Sequence, residues 1–262
     1  VSNILIGGLA GDAITTGSEN VVVGKSAAGR LTVGNYNTAI GHDALALSVD
    51  GDYNTAIGYK ALQQYEDGDG NGHNTAIGSS SQLNATTGEF NTSLGSLSMG
   101  AGVVTGDYNV ALGYKAGEDL TAGSQNTMIG GLAMGVGVTT GANNVAIGYR
   151  SGEDLTSGNE NSLLGVLTGA GLTSGAANVA VGYGALSTED TTGRNVAIGY
   201  NALSTQNAGA DAYNVAVGYF TGKSITTGVQ NTLVGGIAGD ALTSGVSNVA
   251  VGYASLSSAQ TS

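Results

Sequence analysis

A short pattern repeated at a nearly constant interval limits what this chain can fold into. Asn, two further residues, an aliphatic residue and Gly recur fifteen times along 262 residues. Ten of the fourteen intervals between successive Asn residues are 17 residues long, and the other four are 18 to 20. A fixed period this short is typical of a solenoid, whose repeats bury their apolar surface against neighbouring repeats. The copies begin at Asn3, Asn20, Asn37, Asn54, Asn74, Asn91, Asn109, Asn126, Asn144, Asn161, Asn178, Asn195, Asn214, Asn231 and Asn248.

The residues within each repeat favour β-coils over helices. The chain has 47 Gly and no Pro, and each Gly would cost about 1 kcal/mol in a helix interior. The apolar residues also alternate, which is the pattern of a strand. We therefore predict an all-β fold, a parallel β-solenoid or β-roll of about 15 coils of 17 residues, with 1–262 forming a single repeat domain.

Numbering each coil from its Asn as position 0 predicts which residues build the core. Aliphatic residues or Thr at positions 1 and 3, such as Val145 and Ile147, are expected to point into the coil. A second aliphatic at position 11, such as Leu155, is expected to close the core from a second strand. Gly at positions 4 and 14 fits tight corners.

The Asn column is predicted to form a ladder of stacked side-chain amides that bond from coil to coil. The alternative is that Asn serves only as a turn former. Neither interpretation makes Asn a ligand site. The predicted ladder includes Asn37, Asn54, Asn144, Asn178, Asn195 and Asn248.

Position 2 lies between the two predicted inward residues and so is expected to face solvent. It is nevertheless apolar in every coil but one, where it is Ser93. Because so long an exposed apolar stripe promotes association, we predict that it is the interface of a parallel homo-oligomer; the alternative is a stripe covered by the chain's own loops. The predicted interface contains Leu5, Ala39, Ala56, Met128, Ala146, Leu163, Ala180, Leu233 and Ala250.

Charge and composition restrict the partners. Nineteen acidic and seven basic residues give a net charge of −12, so nucleic acid would be repelled. The absence of Cys excludes disulfides and thiolate metal sites. No apolar run approaches the roughly 18 to 20 residues that cross a bilayer, so we expect no membrane span.

The repeat resembles those of two families of fibrous proteins. Asn-(Thr/Val)-Ala-Ile-Gly is similar to the repeat of YadA-like trimeric autotransporter adhesin heads, and the stretches 54–62 and 195–203 look even more like phage tail-fibre repeats. The resemblance implies a left-handed homotrimer in an extracellular fibre, on a virion tail or a bacterial surface, that attaches to a glycan or protein receptor. The 17-residue period departs from the shorter adhesin coil.

One loop has the residues of a metal site. Asp67, Asp69 and Asn71 alternate as in the first half of a calcium loop. The twelfth position of that pattern is Gly78 instead of Glu. The sequence therefore predicts a solvated acidic loop and no cofactor, with a calcium site at these three residues as the alternative.

No catalytic constellation recurs in the repeats. His42 and His73 belong to different coils, and the acidic pairs 118–119 and 153–154 are expected to form a solvated edge. We expect a structural fibre component that mediates attachment to a host or surface, and not an enzyme. The alternatives are a self-assembling filament subunit, a carbohydrate-acting tailspike with carboxylates between subunits, and an ice-binding solenoid.

Overall fold

A computed structural model describes residues 2–66, 72–188, 191 and 193–258. These residues form fifteen strands of three residues each, one per repeat, and no helix, which confirms the all-β prediction. No helix long and apolar enough to cross a membrane occurs among these residues. The strands are β1 (Ile4–Ile6), β2 (Val21–Val23), β3 (Thr38–Ile40), β4 (Thr55–Ile57), β5 (Thr75–Ile77), β6 (Thr92–Leu94), β7 (Val110–Leu112), β8 (Thr127–Ile129), β9 (Val145–Ile147), β10 (Ser162–Leu164), β11 (Val179–Val181), β12 (Val196–Ile198), β13 (Val215–Val217), β14 (Thr232–Val234) and β15 (Val249–Val251).

The strands lie in two compact units, Val1–Gly131 with β1 to β8 and Leu132–Ser262 with β9 to β15. Within each unit every strand pairs in parallel with the next, so each interval between Asn residues is one turn of a β-solenoid, as predicted. Equal positions lie side by side: Ala39 is opposite Ala56 in the first unit, and Leu163 is opposite Ala180 in the second. Each position of the repeat therefore forms a column.

The direction of the strand side chains is the reverse of the prediction. From β2 to β14 the middle residue is buried, and the residues on either side are half-buried or exposed. The Asn at position 0 is itself inside the coil, and because strand side chains alternate, position 2 points inward while positions 1 and 3 point outward.

The predicted interface is therefore wrong, because its residues are core residues of their own coils. The alternative, a stripe covered by the chain itself, is closer to the structure. Leu5 in the edge strand β1 is 44% exposed, Ala250 is 5% exposed, and the remaining seven are fully buried: Ala39, Ala56, Met128, Ala146, Leu163, Ala180 and Leu233.

Small residues suit position 2 because the interior of each coil is narrow. It is filled from the opposite side by fully buried aliphatics at positions 8 and 11, such as Leu62 and Leu155. Position 11 was predicted correctly as core, although it lies outside the fifteen strands.

In three coils a Leu at position 2 fills the space left where position 8 is Gly. A Cβ on Gly169 would lie 2.9 Å from Cδ2 of Leu163, and one on Gly239 would lie 2.8 Å from Cδ1 of Leu233. Side-chain volume is thus exchanged across the interior between positions 2 and 8.

The Asn ladder is confirmed, and it satisfies the backbone at one corner of the coil. Asn37 Oδ1 accepts the backbone N–H of Asn54 at 2.9 Å. Its Nδ2 donates to the carbonyl of Gly51 at 2.6 Å and to Oδ1 of Asn20 at 3.1 Å. The other five predicted members also bond from coil to coil. Oδ1 of Asn54, Asn144, Asn178 and Asn195 accepts the backbone N–H of the next Asn, and Nδ2 of Asn248 donates to Oδ1 of Asn231. Nδ2 of Asn54 and Nδ2 of Asn195 have no hydrogen-bond partner.

Left-handed backbone conformations bend the chain at three positions of each coil. Positions 6 and 8 have φ near +55°, for example 56° at Lys60 and 49° at Leu62. The residue immediately before the next Asn, which we call position 16 in every coil although four coils are one to three residues longer, has the same conformation, with φ 58° at Tyr53. Such φ values are uncommon outside Gly. The side chain at position 16, immediately before each Asn, consequently stands at a corner of the coil.

Gln82 is one of five described residues with a buried side-chain atom that has no hydrogen-bond partner. Gln82 occupies position 8, which is Leu in several other coils, and its Oε1 has no hydrogen-bond partner. Its Nε2 donates to Ser93 Oγ at 2.9 Å, while Ser93 also bonds to Ser81.

We expect Gln82→Leu to raise the free energy of unfolding by about 1 kcal/mol, because it removes a buried acceptor without a partner and fills the same space. Urea unfolding measures the change. The reciprocal variant Leu62→Gln should lower stability; a loss of stability in Gln82→Leu would contradict the prediction.

Candidate interaction surfaces

The outward residues of the strands form a face that carries no charge. Positions 1 and 3 of the fifteen strands comprise twenty-three Ile, Val or Leu residues and seven Thr or Ser residues. We call these two columns the outer sheet face. Several members are well exposed, among them Leu94 at 49%. Contiguous apolar surface of this kind marks an interaction site or an aggregation hazard.

A column of Tyr residues at position 5 lies beside the outer sheet face. In the second unit Tyr183, Tyr200 and Tyr219 stack with ring centroids 5.2 and 5.5 Å apart, and we call them the second ring stack. Phe220 packs edge-on against Tyr200, and Nζ of Lys223 lies 4.7 Å from the centroid of Phe220. This stack therefore carries a cation at its border.

The first unit has an aromatic column of its own, which we did not predict from the sequence. It occupies position 16 in five successive coils, and we call it the aromatic ladder: Tyr36, Tyr53, His73, Phe90 and Tyr108. Neighbouring centroids are 4.9, 4.7, 4.9 and 5.0 Å apart, and the ring planes differ by 2 to 6°. All five residues are exposed. An aromatic residue directly before five consecutive Asn residues was a signal available in the sequence.

The two histidines fall in different surroundings. His73 is the central ring of the aromatic ladder, between Tyr53 and Phe90. His42 lies beside Tyr59 with centroids 5.7 Å apart, and its Nδ1 is 3.1 Å from Asp43. The structure thus places His73 in a stack of rings and His42 in a separate column.

The acidic pairs are more structured than a solvated edge. Lys115 pairs with Glu118 at 3.1 Å, and Arg150 pairs with Glu153 at 2.6 Å. The hydrogen bond that the Lys115 ammonium donates to the Glu118 carboxylate raises the pKa of Lys115. Glu153 is buried, so the predicted solvated edge is wrong at that residue. Burial raises the pKa of Asp154, as does the charge of Glu153, while Arg150 opposes the change.

The candidate calcium ligands Asp67, Asp69 and Asn71 lie outside the described residues. Across 2–66, 72–188, 191 and 193–258, no three His, Asp or Glu side chains are grouped closely enough to hold a metal ion. The acidic loop and its alternative, a calcium site, stay predictions from the sequence.

Comparison of the chain with protein-family models and with curated proteins finds no match in either set.

Proposed function

We propose that this chain is a shaft or head segment of a homotrimeric extracellular fibre, on a virion tail or a bacterial surface. It would act by attaching to a glycan or protein receptor and not by catalysis. The observation that carries the proposal is the uncharged outer sheet face. The repeat's resemblance to tail-fibre and adhesin-head sequences supports the trimer and the extracellular setting.

A second copy of the same chain is a suitable cover for the outer sheet face. Apolar sheet faces are ordinarily packed against another layer about 10 Å away. The columns run from coil to coil, so a copy lying parallel to the first would present matching columns along its length. Closed cyclic symmetry lets every copy bury the same face.

The remaining surface suits a soluble display element. The net charge of −12 keeps assembled copies apart in solution. Within each unit the strands are joined by parallel pairing at every coil, which holds surface columns at fixed spacing. Three copies that each carry a weak receptor site would gain avidity without a tight pocket.

The oligomeric state tests this proposal. We expect light scattering to give three times the chain mass of 25.5 kDa. The double variant Ile57→Lys and Ile147→Lys places a cation on the outer sheet face of each unit, where Ile57 neighbours Ile40 and Ile77. Because an unpaired buried charge costs several kcal/mol, the dissociation constant should rise by more than about 100-fold.

The matched control adds the same charges elsewhere. Val33 and Val246 are aliphatic, lie off the outer sheet face and are 45% and 52% exposed, so Val33→Lys with Val246→Lys should leave the trimer intact. Circular dichroism confirms that both variants are folded. A monomeric parent protein, or equal dissociation by both variants, would sink the proposal; a stable dimer would overturn its trimeric part.

A further inference from the structure

We propose that the aromatic ladder is a binding site for elongated, flat, cationic aromatic molecules, which lie along the ladder within the first unit. The ladder residues stand immediately before their Asn residues, two residues along the chain from position 1 of the outer sheet face.

The ring geometry selects a flat ligand. Neighbouring rings cover each other's faces at 4.7 to 5.0 Å, so the inner rings offer solvent mainly their edges. Covering these ring edges with a planar molecule removes apolar surface from water, which favours binding. A planar aromatic molecule laid across three successive edges, about 10 Å at the strand spacing, would cover all three at once.

The charges beside the ladder select a cation. The residues immediately before Tyr53, Phe90 and Tyr108 are Asp52, Glu89 and Asp107. Asp52 and Asp107 each accept a backbone N–H from the preceding coil, at 2.5 and 2.8 Å, so their carboxylates are held at the corner that carries the rings. Glu19 adds a further acidic residue, because it occupies the same column as the ladder, one coil before Tyr36.

No Lys or Arg residue of the first unit occupies this corner, and His73 is a basic residue within the ladder itself. The four Lys and Arg residues of the first unit are at positions 5, 6 and 10 of their coils: Lys25, Arg30, Lys60 and Lys115. Two of them serve other rings, because Lys60 lies 5.3 Å from the centroid of Tyr59 and Lys115 lies 5.7 Å from that of Tyr114. Among the described residues, no such cation contact is made by a ladder ring. A cationic ligand would meet attraction there without a competing Lys or Arg side chain.

The second ring stack supplies an internal comparison. Its planes diverge by 12 and 21°, and Lys223 lies at its border. Because that cation would repel a cationic ligand, we expect such a ligand to bind the aromatic ladder in preference to the second ring stack.

Fluorescence titration of the intact protein with thioflavin T, a flat cationic benzothiazole, tests the inference. We expect saturable binding that weakens with added salt. The double variant Tyr53→Asn with Phe90→Asn should weaken this binding at least tenfold, because it removes the two rings that flank His73. Asn is native at this position, since Asn143 adopts φ 61° there; the single variant Phe90→Asn serves if the double variant unfolds.

Two further variants separate shape from charge. Asp52→Asn with Asp107→Asn should weaken the binding of thioflavin T about fivefold, yet leave the binding of its uncharged demethylated analogue unchanged. Asn should keep the hydrogen bond at the corner, because Oδ1 of Asn35 accepts the backbone N–H of Ser18 at 3.0 Å in the equivalent place. Tyr183→Ser with Tyr219→Ser should leave binding within twofold. The inference would be overturned if the ladder variants bound the dye as tightly as the parent protein, or if only the variant of the second ring stack lost binding. Absence of binding to the parent protein would also overturn it.

Discussion

Replacing Gly24 by Ala should lower the free energy of unfolding of the first unit by about 4 kcal/mol. Gly24 has φ +136°, a region nearly restricted to Gly, where other residues cost about 1–3 kcal/mol. Its Cβ would also lie 2.5 Å from the carbonyl oxygen of Gly41 in the next coil. Relief of that clash requires the coils to separate, which adds about 1–3 kcal/mol. Urea unfolding followed by circular dichroism measures the loss.

Gly8→Ala is the matched control. Gly8 stands at position 5, and a Cβ there would meet no atom within 4 Å. Its variant should change stability by less than about 0.5 kcal/mol. If the two variants were equally stable, our inference that successive coils approach too closely at position 4 to admit a Cβ would be wrong.

Asn37→Ala should cost about 3–5 kcal/mol. The change leaves the backbone N–H of Asn54 and the carbonyl of Gly51 without their side-chain partners inside the coil. Each buried polar group left unsatisfied costs about 1–3 kcal/mol. The same urea experiment measures the effect, and amide hydrogen exchange should show faster exchange at Asn54.

Asn35→Ser tests whether the cost is specific to the ladder. Asn35 is a partly exposed Asn two residues away, and the Ser124 hydroxyl makes the equivalent bond to the backbone N–H of Asp107 at 3.0 Å. We expect a change below about 1 kcal/mol. A similar loss in both variants would mean that the Asn column is no more than a set of turn formers.

The features that could be predicted are those that demand one residue type. Gly24 needs a backbone without Cβ, and Asn37 needs both an acceptor and a donor on a short side chain, so both leave a visible column in the sequence. Their spacing was enough to predict a parallel solenoid and the amide ladder.

The phase of the strand could not be read from hydrophobicity. Alternation fixes two faces and does not say which is inside, and Ile57 is more apolar than its neighbour Ala56. The narrow coil interior nevertheless takes Ala, because the buried Leu62 fills most of the space. The larger aliphatic was therefore assigned to the wrong face, and the predicted interface with it.

The corner conformations left no comparable signal. Lys60 and Leu62 adopt left-handed φ values that their residue types do not favour. The aromatic ladder depends on those corners, because its position-16 residues share that conformation. Its common column, directly before five consecutive Asn residues, was visible in the sequence, but the exposure and stacking of the rings follow from the corner conformation.

The exchange of volume between positions 2 and 8 makes the order of the coils meaningful. Leu163 fills the space above Gly169 in its own coil and also above Gly152 in the coil before, where a Cβ would lie 2.9 Å from its Cδ1. A coil is thus completed by its successor. Duplication or shuffling of single repeats would part such pairs and open a hole at each new junction, so inheritance in blocks of two or more coils is the route that keeps the stack filled.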